Sequence, residues 1–187
     1  MVLFTLRELF DLILMTVVLG YIFLPSIQRP RAIAEMFSAR LFNWEDFRFA
    51  LIVTAPAVVL HELMHKFAAL FLGLAATFHA SYFGLGLGLF LRVVQSPFIV
   101  FIPGYVSISA APPLASAFTA FMGPLTNLAL FCAAALLLKH AKKLKRNHMI
   151  ILALTKQINL FLFLFNMIPI PPFDGSHVVI GLFQAFF

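Results

Sequence analysis

The chain has 187 residues, 63% of them hydrophobic and 11% charged, with a mean hydropathy of +1.03. Soluble domains are closer to half apolar and a quarter charged, so this composition specifies an integral membrane protein with room for one compact domain of about four spans. The net charge of +6 does not indicate nucleic acid, because five of the thirteen basic residues lie in KHAKKLKR (139–146) and four more in 29–48, the pattern of membrane-flanking loops.

Leu9 to Leu24 is the first apolar run. No small-x-small cleavage site follows it in YIFLPSIQRP, so it is expected to be an uncleaved span rather than a signal peptide. Pro25 to Arg48 is polar enough for a loop, with a short interfacial helix expected over Ile33 to Phe42 and Trp44 as an interface anchor. Phe47 to Leu72 is the second span, closed by Gly73. At 1.5 Å per residue it reaches about 39 Å, enough to cross with some tilt.

Residues 73–113 are harder to read. In ATFHASYFGLGLGLFLRVV, glycines 84, 86 and 88 alternate with leucines, a poor helix pattern that predicts strands or a re-entrant hairpin over Ala80 to Val94. FIVFIPGYVSIS, with β-branched and aromatic residues around Pro-Gly, predicts another strand. Open backbone at membrane depth is tolerated only where protein or a water cavity satisfies it, which points to a site.

Leu114 to Leu138 is the third span and contains GPLTN. Its Cys132 is the single cysteine, which excludes an internal disulfide and a cysteine-based metal site. Met149 to Ile168 is the fourth span, and NMIPIPPFDGSH then breaks the helix with three prolines. The twelve residues after Gly175 would form about 18 Å of helix, too short to cross alone. The fold expected is an all-α membrane protein, a polytopic helix bundle of four to five transmembrane segments with a small β or re-entrant element between the second and third spans.

HELMH places His61, Glu62 and His65 inside the second span. On a helix, residues i and i+4 share a face, so both imidazoles reach one ion with Glu62 beside it as a base. Ionisable groups inside a membrane are functional by default, which favours zinc over a pair of polar residues bonded within a bundle. A catalytic zinc takes three protein ligands and one open position. Glu8, Asp11, Glu35, Glu45 and Asp46 lie on the first span or its loop, and His140 and His148 flank the basic loop. Asp174, the only carboxylate after Glu62, is either the third ligand or an N-cap for the helix that follows it. His177 is the reserve ligand, and His79 is expected in the strand region.

HELMH in one span, GPLTN in a later one and NMIPIPPFDG after the next together resemble the site-2 protease family of intramembrane zinc metalloproteases, over about Val53 to His177. The resemblance implies His61, His65 and Asp174 as ligands of one zinc ion and Glu62 as general base. It also implies Asn127 and Asn166 as site-supporting residues, with Asn127 aiding the substrate carbonyl; locally, Asn127 equally suits helix–helix hydrogen bonding. Phe173 stands where the family usually has Leu. Residues 1–187 then form a single transmembrane protease domain, with 1–46 a peripheral first span and loop and 47–177 the catalytic core.

The implied activity is hydrolysis of a peptide bond in or near the transmembrane segment of a membrane-anchored protein, with the bilayer and that substrate as partners. The alternatives are an inactive zinc-binding scaffold of the same fold, which has no use for Glu62, and a metal transporter, which needs polar residues along a whole path. A helical substrate must unwind before cleavage, and the segment from Ala80 to Val94 is expected to offer it an edge to pair with as a strand. Basic residues on the face opposite the site place the site nearer the non-cytoplasmic side, whereas the resemblance implies the cytoplasmic side.

Overall fold

The computed structural model describes residues 3–27, 42–97, 101–141 and 143–187. The first two helices start where a side chain accepts from free backbone N–H groups. Helix α1 (Leu6–Phe23) opens on a capping box in which Thr5 Oγ1 accepts from Glu8 N at 3.2 Å and Glu8 Oε2 accepts from Thr5 N at 2.8 Å. Helix α2 (Trp44–Phe71) starts at Asn43, whose Oδ1 accepts from the amides of Glu45 and Asp46. It ends at Gly73, which takes a φ of +76° that few side-chain-bearing residues adopt.

There follow β1 (Ala76–Ala80), α3 (Tyr82–Val93), β2 (Gly104–Ile108), α4 (Pro113–His140), α5 (Arg146–Asn166) and α6 (Asp174–Phe186). The helices α2, α4 and α5 are long and apolar enough to cross a membrane. The first apolar run forms α1, which carries Arg7, Glu8 and Asp11 in its first two turns. The interfacial helix expected over 33–42 falls almost entirely outside the described residues.

The strand reading of Ala80 to Val94 is corrected. Only its first residue belongs to β1, and 82–93 are helical, started by Ser81 Oγ accepting from Gly84 N at 3.1 Å. The alternating glycines mask a spacing of four. Gly84 and Gly88 share one helical face, and a Cβ on Gly84 would run into the Ile102 carbonyl, while one on Gly88 would lie 2.8 Å from Ile22 Cδ1 and 3.0 Å from Phe101. Gly86, on another face, has nothing nearby. Close packing, rather than strand geometry, is why glycine occurs there.

Strands β1 and β2 pair antiparallel, Ala76 opposite Ile108 through Ala80 opposite Gly104. Helix α4 packs against α2, α5 and α6, while α1 and the sheet cover the other flank of α2. Met15 and Leu19 of α1, Phe78 and Ala80 of β1 and Leu85 of α3 make one core cluster. Phe49, Ala50 and Val53 of α2 pack with Ile27 and the first turns of α5 in another. These contacts hold the α2–α4 pair, which carries the site, between the sheet and α5–α6.

Candidate metal centre

His61 and His65, one turn apart on α2, are both buried, with ring centroids 4.7 Å apart. Their orientation comes from α4. His61 Nδ1 donates to Asn127 Oδ1 at 2.6 Å, and Asn127 Nδ2 donates to the carbonyls of Ala57 and of the Asn159 side chain, each at 2.9 Å. Asn159 Nδ2 in turn donates to the Thr155 carbonyl at 2.8 Å. One fully buried amide therefore ties α2, α4 and α5 to the His61 ring. Asn127 thus orients an imidazole as well as joining the helices.

His65 Nδ1 donates to the Thr119 carbonyl at 2.8 Å. That carbonyl lies beside the turn loosened by Pro124, which has no N–H to give Ala120. In a neutral imidazole the Nδ1 proton leaves Nε2 as a bare electron pair. Both Nε2 atoms face the same point: they lie 3.1 Å from each other and 3.1 and 3.4 Å from Asp174 Oδ2.

Asp174 is the first residue of α6 and makes no capping bond, so its side chain is turned into the site rather than onto its own helix. As a metal ligand it must be ionised.

Among the described residues these three form the one cluster of His, Cys, Asp or Glu that could hold an ion, with ligand atoms within 4.8 Å of one another. Around a tetrahedral zinc with bonds of about 2.0–2.1 Å, ligand atoms stand about 3.4 Å apart. The observed triangle fits that size and the N,N,O donor set fits the metal.

Gly123 on α4 makes the fit possible. A Cβ there would collide with His65 Nε2 and sit 2.8 Å from His61 Cε1. Its role was open to sequence reading: Gly123 and Asn127 are one turn apart in GPLTN and so share the face toward α2. Asn159 carried no such signal.

The triad and buried Glu62 line a cavity of about 1150 Å³, most of whose walls are apolar. Asn166, the last residue of α5, and exposed His177 line it as well, the latter outside the ligand triangle. His79 lies elsewhere, its ring tilted against Tyr105 with centroids 5.4 Å apart and Nε2 3.1 Å from Ser107 Oγ. Glu8 and Asp11 face the sheet.

The model of Peptidase family M50 matches residues 135–187, the part that carries Asp174. The chain is also 38% identical over 151 residues to a protein of Methanocaldococcus jannaschii named "Putative zinc metalloprotease", with 79% of this chain and 78% of that protein covered. No solved structure matches.

Proposed function

The chain belongs to peptidase family M50, and from that premise we propose that it is a multi-pass intramembrane zinc metalloendopeptidase that cleaves a membrane-anchored protein in or near its transmembrane segment, as a step in regulated intramembrane proteolysis. The observation that carries the reading is the convergence of two Nε2 lone pairs and one carboxylate oxygen, 3.1–3.4 Å apart, on a cavity that Glu62 also lines.

His61, His65 and Asp174 hold one zinc ion. Bound there, zinc supplies a Lewis acid for the scissile carbonyl and lowers the pKa of a water to about 7. Glu62, buried beside the ligands, accepts the proton of the attacking water and passes it to the leaving amine. Asn127 and the Thr119 carbonyl keep the two imidazoles in the tautomer that presents Nε2. The apolar cavity walls suit a transmembrane segment.

The docking edge is β2. Ser109 N donates to the Ala75 carbonyl and Ser81 N to the Pro103 carbonyl, so by antiparallel alternation Thr77 and His79 face β2. Gly104, Val106 and Ile108 then turn their N–H and C=O groups away from β1, and all three residues line the cavity. An unwound substrate segment adds there as a third strand.

The reading is tested with purified protein and a single-span substrate in liposomes. Wild type should cleave and contain one zinc, and Glu62→Gln should retain zinc without cleaving. Cleavage by Glu62→Gln at the wild-type rate, or a wild type that neither binds zinc nor cleaves, overturns it.

A further inference from the structure

Two carboxylates that the metal site does not use are buried on α1: Glu8 is 2% exposed and Asp11 1%. Both address the outer edge of β1. Glu8 Oε1 accepts from Phe78 N at 2.8 Å and pairs with the ammonium of Lys66, which is fully buried and adjacent to His65. Glu8 Oε2 is occupied by Thr5 N and Thr5 Oγ1, at 2.8 and 3.1 Å. Asp11 Oδ2 accepts from Ala80 N at 3.2 Å, and its Oδ1 from the Tyr82 hydroxyl at 2.6 Å.

By the register above, Phe78 and Ala80 are residues whose N–H groups point away from β2. Their partners are carboxylates spaced i, i+3 on a helix, which matches the two-residue repeat of a strand edge well enough to satisfy both. A helix backbone has no acceptors to offer sideways, so without these side chains the edge would present bare N–H groups in an apolar setting. Such an edge is a template for another strand. Stability alone does not explain the arrangement, because a buried ion pair replaced by apolar residues often leaves a protein no less stable.

We propose that Glu8 and Asp11 are positioning residues that close the outer edge of the sheet, so that an extended substrate segment pairs only with β2, the edge facing the metal ligands. This rests on the reading of β2 as the docking edge. The closed edge lies against α1, so a substrate paired there would be held away from Glu62.

Two double variants separate edge closure from the charge pair. Glu8→Gln/Lys66→Met and Glu8→Leu/Lys66→Met both remove the buried charges, but only glutamine retains an acceptor for Phe78 N–H. Both should contain one zinc. The glutamine variant should cleave a single-span substrate about as well as wild type. The leucine variant should show kcat/KM lower by about tenfold, carried by KM, as expected for loss of one buried hydrogen bond that governs docking. Equal kcat/KM in the two variants, or loss of zinc from the leucine variant alone, overturns the proposal.

If the leucine variant does not fold, Asp11→Asn against Asp11→Leu repeats the comparison at Ala80 with the ion pair intact. Amide hydrogen exchange at Phe78 and Ala80 reads the edge without any cleavage, and should be at least about tenfold faster in the leucine variants. A wild type that cleaves nothing defeats the protease reading, while unchanged exchange defeats edge closure.

Discussion

Gly123→Ala adds one methyl group at the place where α4 meets the two imidazoles. The new Cβ would sit 2.5 Å from His65 Cε1 and 2.8 Å from His61 Cε1, where ordinary contacts begin at 3.4 Å. Relief therefore requires the rings to move by at least about 0.6–0.9 Å, several times the tolerance of about 0.2 Å within which a zinc site keeps its geometry. Neither ring can move freely, because His61 Nδ1 is held by Asn127 and His65 Nδ1 by the Thr119 carbonyl. The alternative, a retreat of α4, breaks the same bonds. Zinc affinity should fall by at least about tenfold to a hundredfold, the range seen when orienting partners are lost. The helix itself gains from the exchange, since alanine exceeds glycine by about 1 kcal/mol in helix propensity. Metal loss should therefore occur without unfolding. The assay is a competition titration with a chromophoric chelator on detergent-purified protein, alongside a thermal melt. Wild-type zinc affinity in Gly123→Ala would refute the placement of the imidazoles against α4.

Asn127→Leu should lower zinc affinity about tenfold to a hundredfold in the same titration, while Asn127→Asp, which retains an acceptor for His61 Nδ1, should lose less. Asp174→Ala should lose zinc and His177→Ala retain it, measured by metal analysis; the opposite result would exchange their roles. Gly84→Ala should be destabilised by about 1–3 kcal/mol through collision with the Ile102 carbonyl. Gly86→Ala, with open space around it, should gain up to about 1 kcal/mol, and the two melts should move in opposite directions.

HELMH, GPLTN and NMIPIPPFDG were each legible because their chemistry is written in local spacing. Two imidazoles at i, i+4 share a helical face whatever surrounds them, and three prolines end a helix in any context. Apolar run lengths likewise set α2, α4 and α5. The alternating glycines misled because period two and period four coincide at Gly84 and Gly88, and only the neighbours of each glycine separate the two. Asn127 was found by its motif, but its partner His61 lies 66 residues away, and no local pattern announces that bond.

The amino-acid sequence by itself determined the membrane-protein composition, the helix that presents His61, Glu62 and His65, and the break that frees Asp174, since each follows from hydropathy or short-range geometry. Only the tertiary structure decided which oxygen fixes each imidazole, why residue 123 has no side chain, and that Glu8 and Asp11 serve the sheet instead of the metal. Those choices depend on which distant groups meet at hydrogen-bonding distance, and chain packing alone supplies that.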